Sequence, residues 1–186
     1  MDAQTTALAD VLILAPRRFG DARGWFMETW SAASMARAGL DLTWVQDNHS
    51  FSTSRGTLRG LHYQAPPMAQ DKLVRCSRGA VLDVAVDIRE GSVTYGRWVG
   101  VELSAENGRQ LLVPKGFLHG FVTLTDAAEV QYKCSNPYSA NHDRSVRWND
   151  PAIGVDWGVT APILSDKDAA APFLAEVGSP FHMGAA

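Results

Sequence analysis

With 186 residues, 46% of them apolar and 20% charged, the chain has the size and composition of one globular domain with a single substantial core. A formal net charge of −3 argues against a nucleic-acid partner, because a surface that tracks phosphates needs a basic excess. The longest apolar runs, such as residues 11–15, fall far short of a membrane span, and the first residues carry neither a basic n-region nor an apolar h-region. The expectation is a soluble protein of the cytoplasm.

In chain order, residues 1–8 read as a poorly ordered polar tail and residues 11–14 as a strand. Asp21-Ala22-Arg23-Gly24 is a turn by its Asp and Gly content, and residues 24–29 resume an extended run. A helix is expected over 31–38, opened by Ser31 as a cap for free amides and closed by Gly39, which tolerates a left-handed conformation. From Thr57 onward strands dominate. The clearest spans 81–88, where Leu82, Val84, Val86 and Ile88 share one face and Asp83 and Asp87 fall on the other, either solvated or, for Asp83, turned inward near His119.

Further strands are expected at 98–103, 110–113, 120–124 and 129–134, separated by Gly91, Asn107-Gly108, Pro114 and Asp126. A short helix follows at 165–171, and residues 176–186 read as a second poorly ordered tail. So many short strands favour a mainly β sandwich or jelly-roll barrel with a few short helices, as a single domain over 1–186. Cys76 and Cys134 sit in strand-like runs without metal-ligand spacing and read as buried free thiols.

Two glycine-anchored patterns carry the chemistry: Gly56-x5-His62-x-Gln64 leading to Lys72-x6-Gly79, and Gly108-x5-Pro114-x-Gly116-x2-His119. They resemble the two cupin motifs. In metal-binding cupins these positions supply His-x-His with a carboxylate and a further His; here Gln64 replaces an imidazole and Lys72 puts a cation where a divalent ion needs an anion. No metal is therefore expected. What remains is a pocket with an imidazole and an ammonium on neighbouring strands, the Pro66-Pro67 turn bringing Lys72 back beside His62. That pair suits removal of a proton next to a ketone, with Lys72 stabilising the enolate oxygen.

Longer stretches make the resemblance specific. Residues 59–64 (Arg-Gly-Leu-His-Tyr-Gln), 113–121, 164–168, 21–28 and 46–50 are all similar to signatures of the dTDP-4-dehydrorhamnose 3,5-epimerase family, over about residues 11–171. The resemblance implies His62 as general base, Asp168 holding its second ring nitrogen, Tyr132 as the acid on the opposite face, and Lys72 at the ketone oxygen. It further implies substrate contacts from Arg23, Arg59 and His119, nucleotide contacts from Glu28, Gln46 and Asn48, Tyr138 stacked on thymine, and further positions at Phe26, Asp143 and Lys167. The implied substrate is a dTDP-4-keto-6-deoxyhexose inverted at carbons 3 and 5, without metal or redox cofactor. The implied assembly is a homodimer with exchanged amino-terminal strands, so that Arg23, Phe26 and Glu28 serve the neighbour's site.

Plainer readings stand beside these. A strand histidine is more often structural than catalytic, Lys72 fits a solvated edge-strand charge, Tyr132 fits core filling, and Asp168 fits a helix-surface carboxylate. Strict alternation sets Arg59 on the face opposite His62, so both share a pocket only if Gly60 marks a bulge or strand end. Rival functions are an epimerase acting at one carbon, a nucleotide-sugar-binding cupin without catalysis, and a metal-dependent cupin enzyme. His49, His142 and His182 read as structural or solvent residues.

Overall fold

A computed structural model describes residues 1–183. A six-stranded antiparallel sheet contains β1 (Asp2–Thr5), β2 (Leu12–Ala15), β5 (Gln46–Ser52), β7 (Lys72–Arg78), β10 (Gln110–Val113) and β12 (Ala128–Cys134), in the order β1-β2-β10-β7-β12-β5. A five-stranded sheet contains β6 (Leu58–Gln64), β8 (Ala80–Asp87), β9 (Trp98–Ser104), β11 (Phe117–Thr123) and β13 (Asp143–Ser145), in the order β13-β6-β11-β8-β9. The remaining pair, β3 (Arg18–Asp21) and β4 (Gly24–Met27), forms a separate hairpin. Short helices α1 (Ala32–Arg37), α2 (Asp166–Ala169) and α3 (Leu174–Val177) complete the described elements. The fold is the expected jelly roll.

Period-2 alternation explains the layers. Between the sheets lie Val74, Cys76 and Val130 from the first and Val81, Ala85 and Phe117 from the second, all buried. The outer face of the five-stranded sheet presents Leu58, Val84, Val86 and Leu118 to the chain's carboxyl-terminal part, which covers them with Trp157 and Leu174. The outer face of the other sheet carries Leu14, Leu73 and Leu112 under Met35 of α1. Ser31 caps α1 by accepting from the Ser34 amide, and Gly39 beyond its end has φ of 76°. Both cysteines are buried and free.

Several expectations need correction. Residues 1–5 are not a loose tail: β1 pairs with β2, and Leu8 is buried in the core between the sheets. The run expected over 24–29 ends at Met27, and the helix expected over 165–171 spans only α2. At the other end, α3 begins before residue 176, and the Phe181 ring meets Tyr63 edge-on at 5.9 Å; residues 184–186 of the expected tail lie outside the described residues. β6 and β7 do not pair. They lie in different sheets, so Lys72 faces His62 across the barrel instead of standing beside it. Among the described residues no helix is long and apolar enough to cross a membrane.

Asp83 and Asp87 are both fully buried, which excludes the solvated reading. Burial pushes the Asp87 carboxyl up, but hydrogen bonds from Arg89, Ser92 and Thr94 outweigh it and hold the group down at about 2. A depressed carboxylate stabilises the fold above the unfolded value and loses that contribution as pH falls through the folded one. The stabilisation is on the order of 2 kcal/mol, complete above about pH 4 and lost toward pH 2. Urea unfolding followed between pH 5 and 2 should accordingly show a steeper acid loss in the wild type than in Asp87→Asn, whose starting stability is lower.

Candidate active site

β6 is the strand that makes the site. His62 pairs with His119 and Arg59 pairs with Phe121, so three residue steps on β6 oppose two on β11. The extra residue is a bulge at Gly60, and it resets the alternation so that Arg59 and His62 face the same side. Glycine is required there on two counts: its φ is 132°, and a Cβ would lie 2.6 Å from Gly120 Cα. The doubt over Arg59 is thereby resolved in favour of the bulge.

Two adjoining cavities, of about 450 and 390 Å³, open between the sheets and share His62, Lys72, Tyr132 and Lys167. The larger adds Arg59, His119, Phe121 and Asp168; the smaller adds Gln46, Asn48, Tyr138 and Asp143. His62 Nε2 meets Asp168 Oδ1 at 2.5 Å, leaving Nδ1 as the ring nitrogen not engaged by the carboxylate. Asp168 sits on α2, whose Ser165 cap accepts from the Asp168 amide. Burial pushes the Asp168 carboxyl up, yet the hydrogen bond and charge of His62, with help from Ser165 and the Gly60 amide, outweigh it and hold the group below the ordinary carboxylate range. It stays an anion, able to orient the imidazole and stabilise an imidazolium.

Opposite, on the six-stranded sheet, stand Lys72 and Tyr132. Burial pushes the Lys72 ammonium below the usual lysine range, and Cys134, Asp83 and Asp143 pull it back only in part. Among the described residues no carboxylate forms an ion pair with it. Burial raises the half-buried Tyr132 hydroxyl, so it remains a proton carrier through neutral pH. His119 Nε2 meets the buried Asp83 Oδ1 at 2.8 Å, as the inward reading of Asp83 expected. Arg59 is exposed at the rim, donating to Ser52 Oγ and to the Phe51 carbonyl. Lys167 Nζ binds Asp143 Oδ2 at 2.5 Å, and the Tyr138 hydroxyl donates to the same oxygen at 3.4 Å.

Three expected residues lie elsewhere in this chain. Arg23 pairs with Asp21 at 2.6 Å on the β3–β4 hairpin, where Phe26 is 69% exposed. Glu28 accepts from the Ser31 and Ser34 hydroxyls beside α1. None of the three lines either cavity of its own chain. Conversely, Ser50, Phe121 and Cys134 line the cavities without having been singled out. Stepping by two from Asn48, His119 and Tyr132 would have found them. The three unassigned histidines have surface partners: His49 with Glu129, His142 with Ser139 and His182 with Glu90.

A family model for dTDP-4-dehydrorhamnose 3,5-epimerase matches residues 5–176. The chain belongs to that family. A relative from Salmonella typhimurium named dTDP-4-dehydrorhamnose 3,5-epimerase is 56% identical over 171 residues, covering 91% of this chain and 93% of the relative. The crystal structure of dTDP-6-deoxy-D-glucose-3,5-epimerase from Legionella pneumophila in complex with dTDP-4-keto-L-rhamnose superposes with a TM-score of 0.91 at 43% identity, covering 98% of this chain and 99% of that one. ChmJ, a 3'-monoepimerase from Streptomyces bikiniensis solved with dTDP-quinovose, superposes at 0.88 with 37% identity, covering 96% and 92%. The epimerase fold is thus shared by a protein named for one carbon and a protein named for two.

Proposed function

We infer that this family member is a dTDP-4-dehydrorhamnose 3,5-epimerase, inverting carbons 3 and 5 of dTDP-4-dehydro-6-deoxy-D-glucose to give dTDP-4-dehydro-L-rhamnose. The observation that carries the mechanism is the placement of His62, oriented by Asp168 on one sheet, against Tyr132 and Lys72 on the other. Inversion needs a base and an acid on opposite faces of the carbon, and the two sheets supply them. His62 Nδ1 takes the proton next to the ketone, Lys72 donates to the oxygen that becomes an enolate, and Tyr132 returns a proton from the far side. The steps need no redox partner. His62 and His119 are each held by a carboxylate, an arrangement suited to proton transfer, while Gln64 is taken up by backbone hydrogen bonds.

Running the reaction in heavy water and counting deuterons in the recovered sugar tests this directly. Deuterium at both carbons supports the dual epimerase. One labelled carbon favours the activity of the 3'-monoepimerase kind, and none leaves a binding protein.

Lys72 also predicts the alkaline limb of the pH profile. An ammonium pushed down by burial loses its proton below the ordinary value of about 10.4, before the raised Tyr132 titrates. Activity should therefore fall at a pH below the usual lysine range. Lys72→Met should lose about a hundredfold in kcat and with it that limb.

We further propose that the protein works in the cytoplasm as a homodimer whose β3–β4 hairpins cross to the partner. Supporting this, the hairpin exposes Phe19, Trp25 and Phe26, and Arg23 and Glu28 lie outside their own chain's cavities. Co-expressed Arg23→Ala and His62→Asn chains should regain activity that neither homodimer has, because one of the two mixed sites is then intact. No recovery in purified mixed dimers would place Arg23 outside the partner's site.

A further inference from the structure

Gln64 holds a motif position that the reaction leaves without a task. Its side chain is buried. Nε2 donates to the Met68 carbonyl at 2.7 Å and to the Pro137 carbonyl at 3.1 Å, while Oε1 accepts the Ser139 amide at 2.7 Å. Two further glutamines grip the same loop: Gln70 Nε2 donates to the Asn136 carbonyl at 2.7 Å, and Gln46 Oε1 accepts the Tyr138 amide at 2.8 Å. The main chain of four consecutive residues, 136–139, is thus held by amide side chains from β5, β6 and the segment after β6. At the centre of this grip the Tyr138 ring is 61% exposed. Packing does little to hold so exposed a ring, so apart from one long hydrogen bond from its hydroxyl to Asp143 its place is set by the backbone beneath it.

We propose that Gln64 is a positioning residue for the nucleotide end of the site, fixing the loop so that Tyr138 stands ready as a platform for a flat pyrimidine base. This rests on the proposed function, with Tyr138 stacking against the base as the family resemblance implies. Only a primary amide fits the position: two donated bonds and one accepted bond leave from a single planar group. A carboxylate of the same shape sets an anion against two carbonyl oxygens, and an imidazole, the metal-binding counterpart at this motif position, cannot reach all three partners. A loop already ordered before binding spares the nucleotide the entropy of ordering it.

Gln64→Glu, measured with dTDP alone by titration calorimetry and with substrate by steady-state kinetics, tests the assignment. Binding of dTDP should weaken about tenfold and KM should rise in step, with kcat at saturation unchanged. Tyr138→Ala should also weaken dTDP binding, and the double variant should bind no more weakly than the weaker single variant, because both changes remove the same platform. Unchanged dTDP binding in Gln64→Glu, additive losses in the double variant, or a fall in kcat with KM unaltered would each overturn the assignment. Wild-type dTDP affinity in Tyr138→Ala would instead remove the base platform itself, a failure of the underlying reading and not of the loop clamp. Should thermal unfolding show Gln64→Glu unfolded, Gln70→Ala, which frees the Asn136 carbonyl alone, carries the same comparisons.

Discussion

His62→Asn should abolish deuterium uptake at both carbons and reduce turnover by about 10³ to 10⁴, the upper range for loss of a general base. An asparagine amide ends where the imidazole Nδ1 stood and falls short of Asp168, but that carboxylate keeps its hydrogen bonds from Ser165 and the Gly60 amide, so the fold is retained. Binding of dTDP should survive, because Gln46, Asn48 and Tyr138 line the adjoining cavity and are unchanged. Loss at both carbons together is the informative part. Only one imidazole in the cavities combines partial exposure with a carboxylate partner on a helix, since His119 is buried against Asp83. If the variant still exchanged one carbon at the wild-type rate, a second base would be at work and His119 would be its candidate. Nuclear magnetic resonance of the sugar recovered from heavy water distinguishes these results.

Tyr132→Phe should separate exchange from inversion. Proton removal by His62 precedes delivery from the other side, so label still enters the substrate while product formation falls by about 10² to 10⁴. The recovered sugar is then deuterated with its original configuration. Stability should change little, because the hydroxyl lines the open cavity and its ring stays packed against the core. Full product yield would remove Tyr132 from the mechanism.

Much of this site was readable from residue types and spacing. Gln64 and Lys72, set where a metal-binding cupin has a histidine and a carboxylate, drew attention to His62, and the structure brings Lys72 and His62 to the same cavities. Period 2 placed Asp83 on the opposite face from Leu82 and Val84, and the inward option for it proved correct. What spacing cannot convey is which strands pair. A seven-residue connection containing two prolines between β6 and β7 reads locally as a hairpin, yet each strand finds its partners in a different sheet, and that separation sets His62 opposite Lys72. The tail expected at residues 1–8 failed for a similar reason: its polar composition hides an edge strand whose backbone completes the sheet beside β2. The hairpin bearing Arg23 and Phe26 lies outside both cavities of its own chain, which the spacing of its residues does not reveal.

The bulge at Gly60 has implications for anyone transplanting this chemistry. Moving Arg59 and His62 into another jelly roll by sequence alone would leave one of them pointing out of the barrel, since a regular strand cannot set residues three apart on one side. The graft must carry a glycine pair, Gly60 and its neighbour Gly120 on the adjoining strand, whose missing side chains let the two backbones nest. An alanine scan that passed over glycines would miss both, although the side of the sheet on which the imidazole stands depends on them.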